Sequence, residues 1–270
     1  VDIPVTIGME CRASMAGTRL EGRRTNNPDQ VSCSYMTIQS VPHDKIDRLT
    51  EFFAPYREAR NVRNRKMIAK INELLGMDLD FDRDVLPLSL GKEGGGVTER
   101  HLMYALAKEM VKRVGKGQAM VDYLASIGMN LSEKQKAQML DTEYPFYEYD
   151  LLGMLKGAFV PKIYIDATDE CPKVKDLVAL CKEVDAYLCY AYLGDVGDSV
   201  TGDKKAQKFE DDYLEDVFEC LKEEGIKAVT YMPTRNTMAQ LERLRALCDQ
   251  YGMFQISGED INTPRQSFVI

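Results

Sequence analysis

The C-terminal half of this 270-residue chain alternates short apolar runs with amphipathic stretches, and that alternation restricts the fold to a narrow class. Val160–Asp166 has the β-branched, apolar character of a buried strand. Cys171–Glu183 carries Val174, Leu177, Val178, Leu180 and Cys181 at helical spacing. Ala186–Leu193 is a second apolar run and stops at Gly194-Asp195. After a polar loop, Ala206–Glu224 places Phe209, Tyr213, Val217 and Leu221 on one helical face, with Gly225 as its stop signal. Ala228–Met232 ends at Pro233, Met238–Tyr251 ends at Gly252, and Met253–Ser257 is a last strand. A repeat of this kind predicts an α/β fold with a parallel sheet and right-handed crossovers.

The N-terminal half reads differently. Val5–Met9 and Ser34–Ser40 are strands, separated by a polar segment, Cys11–Gln30, that holds Arg12, Arg19, Arg23, Arg24, Asn26 and Asn27. Asp44–Leu75 and most of Asp78–Leu131 are helical, with Thr98 as the N-cap of a helix that follows three glycines. Residues 131–149 read as helix, then loop. No repeat or flexible linker breaks the chain, so residues 1–270 are expected to form a single domain with a mainly helical insertion at about 76–150.

Composition excludes several classes of function. The net charge of -8 argues against non-specific binding to nucleic acid or to an acidic membrane surface. No apolar run approaches the roughly 20 residues of a membrane span, and no secretory signal is visible. The seven cysteines include no C-x-x-C pair, and Cys181, Cys189, Cys220 and Cys248, in apolar segments, read as buried free thiols, which implies a reducing compartment, most simply the cytoplasm. With only two histidines, any metal site must lean on carboxylates.

Four short motifs stand in order on this pattern: Gly8-Met9-Glu10, Thr98-Glu99-Arg100-His101, Ala191-Tyr192-Leu193-Gly194 and Gly258-Glu259-Asp260-Ile261-Asn262. Together they resemble the PHP (polymerase and histidinol phosphatase) domain superfamily. The resemblance implies a distorted (β/α)7 barrel that binds divalent metal ions and hydrolyses phosphoesters. It covers most of the chain but begins near the family's third strand. The H-x-H strand, and a second bearing Asp and His, are expected upstream of Val1. Tyr192 stands where the family has a metal-binding His, Tyr35 does likewise in the family's fourth strand, and Asn262 replaces the last His. Of the expected ligands, Glu10 and Asp260 remain.

A phenol must lose a proton near pH 10 to bind metal well, and a primary amide is a weak neutral donor. The two carboxylates could still hold one hard cation with several waters, so Mg, Mn, Zn or Fe stays open as cofactor. Glu10 and Asp260 are therefore the candidate catalytic and metal-binding residues. Arg12, Arg19, Arg23, Arg24, Arg235 and Arg265 supply guanidinium forks suited to phosphate or carboxylate, and Tyr35, Tyr192 and Asn262 could bind the same substrate. Two readings follow. One is a metal-dependent phosphoesterase acting on a small anionic or phosphorylated molecule. The other is a non-catalytic module of the same fold that keeps an anion pocket. Pairing of copies through an open sheet edge is a further expectation.

Overall fold

In the computed structural model the sheet starts one strand later along the C-terminal half than the apolar runs suggest. The structure describes residues 5–196 and 207–265. They fall into two compact units, one built from residues 5–56, 167–196 and 207–261, the other from residues 57–166 and 262–265.

The first unit holds a five-stranded sheet in the order β1-β2-β3-β4-β5, with β1 Ile7–Ser14, β2 Cys33–Val41, β3 Tyr187–Ala191, β4 Ala228–Tyr231 and β5 Phe254–Ser257. β1 pairs antiparallel with β2, and β2 antiparallel with β3; only β3, β4 and β5 run parallel. Helices α6 (Val174–Glu183), α7 (Leu214–Glu224) and α8 (Met238–Tyr251) belong to this unit, and α1 (Ile46–Leu75) begins in it. The apolar stripes of α6 to α8 bury Leu177, Val217, Leu221, Leu241 and Leu244 with Ala13, Met36, Ile38, Tyr190 and Val229 of the sheet. Each fully buried large side chain of this kind contributes about 1.5–3 kcal/mol. Gly225 and Gly252 end their helices in the left-handed region, at φ 80° and 64°, as the sequence implies. Thr237 starts α8 with a capping box shared with Gln240.

The expected (β/α)7 barrel is not what forms. Closure requires the last strand to pair with the first. Among the described residues, β5 pairs only with β4, and the long ladder of β1 is made with β2, so the sheet is open. The physical reason lies in the connections: β1 leads to β2 without a crossover helix, and the pair folds back antiparallel. The strand expected at 160–166 is also absent. Phe159, Val160 and Ile163 continue the stripe of α5 (Tyr147–Ile163), and they pack in the core of the second unit. A short apolar run has no periodicity of its own to separate strand from helix end.

The second unit is helical. α2 (Glu99–Val114), α3 (Gln118–Ser126), α4 (Glu133–Leu140) and α5 surround a core that includes Met67, Ile71, Leu102, Leu106, Leu151 and Phe159. Thr98 caps α2, and its backbone N–H donates to Nδ1 of His101 at 3.0 Å. His101 is thereby occupied as a helix-start residue. Among the described residues no helix is long and apolar enough to cross a membrane.

Candidate functional site

In parallel α/β sheets, groups gather where loops leave the carboxyl ends of the strands. Here three such loops carry Leu193-Gly194-Asp195 after β3, Arg235-Asn236 after β4 and Glu259-Asp260 after β5. The β3 loop turns at Gly194, with φ 72°, where a Cβ would lie 2.8 Å from both Tyr192 Oη and Gln240 Nε2. Only glycine fits that turn without strain.

Glu210 holds the turn. Its Oε1 accepts the backbone N–H groups of Leu193 at 2.9 Å and Gly194 at 3.3 Å. The residue is fully buried, and its Oε2 has no hydrogen-bond partner among the described residues. Burial pushes its carboxyl up from 4.5 to about 7, against the stabilising pull of the two backbone donors. Asp211 accepts from Tyr192 Oη at 2.6 Å, Asp195 N at 2.9 Å and Gln240 Nε2 at 2.7 Å.

Arg235 enters the same region from β4. Its Nε leans on the Leu193 carbonyl at 3.4 Å, a weak contact, while Asn236 donates to that carbonyl at 2.9 Å. Arg235 Nη2 is buried and has no hydrogen-bond partner among the described residues. Desolvation lowers its pKa, and the charges of Glu210 and Asp260 oppose that shift. The loop that carries Asp260 is tied to the β4 loop through Glu259, which accepts from the Thr234 N–H at 3.0 Å and from the Thr234 hydroxyl. The polar loop between Gly194 and Ala206 falls largely outside the described residues; the helix expected from Ala206 begins only at Leu214, because Gln207 bridges back to Val196 and Asp211–Tyr213 form a single 3-10 turn.

The sequence candidates divide sharply. Arg235 and Asp260 come within electrostatic reach of one another. Glu10 does not sit at a strand end: β1 continues to Ser14, and exposed Glu10 lies mid-strand opposite Thr37. β1 and β5 form opposite edges of the sheet, four inter-strand spacings apart, on the order of 19 Å along its surface. Arg12 is buried, donating from Nε and Nη2 to Tyr35 Oη at 3.2 and 3.1 Å and from Nη1 to Glu170 at 3.3 Å. Arg19 pairs with Glu223, Arg23 pairs with Asp216, and Arg24 donates to the Pro28 carbonyl. Asn262 and Arg265 belong to the second unit, where Asn262 O accepts from Arg100 and Arg265 forms a forked pair with Asp150.

The metal set that the fold resemblance implies does not match these residues. Tyr192 donates its hydroxyl proton to Asp211, and burial drives its pKa far above the usual phenol value. Tyr35 Oη is taken up by two N–H groups of Arg12. Among the described residues no cluster of three or more His, Cys, Asp or Glu could hold an ion. Glu210 and Asp211 escaped the sequence reading because Glu210-Asp211-Asp212 looks like a solvated acidic run, and nothing in residue type reveals that one of the three is buried.

No protein-family model and no curated protein matches the sequence. Solved structures do match. One is a protein from Bifidobacterium adolescentis assigned as a metal-dependent phosphoesterase, at 16% identity and TM-score 0.51, over 90% of this chain and 67% of that one. Another is an amidohydrolase from Chromobacterium violaceum with bound sulfate and no metal, at 13% identity and TM-score 0.53, over 96% of this chain and 68% of that one. The chain shares its fold with these two proteins and spans about two thirds of the length of each.

Proposed function

We propose that this chain is a hydrolase-type domain, phosphoesterase-like, that takes a small anionic molecule at the carboxyl ends of β3, β4 and β5. The observation that carries the reading is Arg235, a half-buried guanidinium whose Nη2 has no hydrogen-bond partner among the described residues. A cation in a low-dielectric setting attracts an anionic oxygen far more strongly than one in water. The other candidate arginines of the first unit, Arg12, Arg19, Arg23 and Arg24, already have protein partners. The bound sulfate of the Chromobacterium violaceum amidohydrolase is in keeping with a fold that accepts a tetrahedral anion.

In this reading Arg235 receives the anion and Asn236 fixes the Leu193 carbonyl beside it. Exposed Asp260 orients and deprotonates the attacking water. Glu210, titrating near neutrality, holds the Leu193–Gly194 turn and stores a proton beside it. A PHP-type activity is the finer form of the same proposal. Glu10 takes no part in it. A divalent metal would act as a Lewis acid in such chemistry, but the described residues do not supply a cluster of ligands for it.

The ligand mismatch at Tyr35 and Tyr192 favours a second reading, an anion-binding domain without turnover. Hydrolysis of p-nitrophenyl phosphate separates the two. The hydrolase reading expects measurable turnover, a KM raised at least tenfold by Arg235→Ala, and a kcat reduced about 10²-fold by Asp260→Asn. Phosphate binding without any turnover favours the second reading. Turnover unchanged in both variants removes the first.

A further inference from the structure

Cys33 and Cys171 face one another with their sulfurs 3.8 Å apart, although 138 residues separate them in sequence. Both side chains are buried, at 2% and 8% exposure. The contact is held by the backbone around it. Cys33 opens β2, while the segment bearing Cys171 is tied to the end of β1 by the Ser14–Lys173 bridge and by Ser14 N donating to Pro172 O at 2.8 Å. On the other side, the Gln30 side chain exchanges two hydrogen bonds of 2.8 Å with the backbone of Ala167. The Cys171 segment is therefore clamped on both sides of the thiol pair. A pocket of about 350 Å³ reaches the pair and is walled by Gln30, Ser32, Asp169 and Lys173 beside the two cysteines.

From this clamped pair at the base of a pocket, we infer that Cys33 and Cys171 form a peroxide-responsive dithiol, a modification site independent of the anion site. The attacking group is Cys33. The S–H of Cys171, the charge of Arg12 and the Asn27 amide lower its pKa against the cost of burial, whereas Cys171 is pushed up. The Cys33 thiolate attacks one oxygen of hydrogen peroxide; the O–O bond breaks, Cys33 becomes a sulfenic acid, and the departing hydroxide takes up the proton that the Cys33 thiol gave up and leaves as water. The Cys171 sulfur then attacks the Cys33 sulfur, the S–O bond breaks, and hydroxide departs with the Cys171 proton as a second water. Two thiols are oxidised by two electrons, and one hydrogen peroxide is reduced to two waters. Oxidation brings the two sulfurs from 3.8 Å to the roughly 2.05 Å of a disulfide.

The other five cysteines are buried as well, and burial raises the pKa of Cys181, Cys189, Cys220 and Cys248. Selectivity for one pair is thus part of the inference. The test treats the full chain with hydrogen peroxide, alkylates it under denaturing conditions and maps the peptides by mass. The expected result is a loss of 2 Da, two fewer alkylated thiols among the seven, and a Cys33–Cys171 cross-linked peptide that dithiothreitol removes. In Cys171→Ser, dimedone should label Cys33; in Cys33→Ser it should label neither position. Cross-links between other cysteines, a sulfinic acid on Cys33 with Cys171 still alkylated, or seven unchanged thiols would each overturn the inference. If either variant fails to fold, the wild-type peptide map decides.

Discussion

A buried carboxylate with one oxygen lacking a hydrogen-bond partner has a thermodynamic signature that the rest of the site lacks. Glu210 is held protonated in the folded protein to about pH 7, while in the unfolded chain it ionises near 4.5. The folded state therefore binds the extra proton between these values, and stability falls as pH rises through the window. The contribution is complete below about pH 4.5 and gone above about pH 7, roughly 3 kcal/mol in all. Glu210→Gln keeps an acceptor for Leu193 and Gly194 but cannot ionise, so its melting temperature should lose this slope and exceed that of the parent at pH 8. Parallel pH profiles for the two proteins would rule the assignment out. The same scale shows why Glu210 was illegible in the sequence. Its neighbours Asp211 and Asp212 are acidic as well, and only the tertiary turn at Gly194 makes one of the three a buried group.

At the scale of elements, what could be read was whatever local chemistry controls. Helices α7 and α8 end at the glycines expected of them, and Thr237 caps the second, because stops and caps are settled within one turn. The Gly8-Met9-Glu10 motif was legible as a strand but not as a register. Between Ile7 and Met9 the β1–β2 ladder shifts, and Ser40 opposite takes φ 58°. A Cβ on Gly8 would stand 2.7 Å from the Ile38 carbonyl oxygen. Gly8 is therefore a packing requirement of the bulge. Gly8→Ala should cost about 1–3 kcal/mol in denaturant unfolding, and a loss under about 0.5 kcal/mol would contradict that placement. Barrel closure could not be read locally at all, since it would pair β1, ending at Ser14, with β5, beginning at Phe254.

For the whole molecule, the described residues form two separate hydrophobic cores, with Tyr190 and Phe218 in the first and Tyr147 and Phe159 in the second. Two cores need not melt together. Calorimetry should give a van't Hoff enthalpy below the calorimetric one, and equality of the two would contradict independent units. Long-range order within the first unit leans on the buried Arg12–Glu170 pair, whose side chains are 6% and 1% exposed. Arg12→Met removes the cation beside a buried carboxylate and should destabilise by about 3 kcal/mol, far more than Arg19→Met, whose partner Glu223 is solvated. Equal losses in urea unfolding would mean the burial difference carries no energy.

The central claim is that anions bind at Arg235 and not at the surface arginines of the 11–30 loop. Titration of inorganic phosphate by isothermal calorimetry tests it directly, with circular dichroism used to confirm that each variant folds. The account predicts saturable binding that Arg235→Ala weakens at least tenfold, about 1.4 kcal/mol, while Arg19→Ala leaves it unchanged. Binding that survives Arg235→Ala and disappears in Arg19→Ala would contradict it.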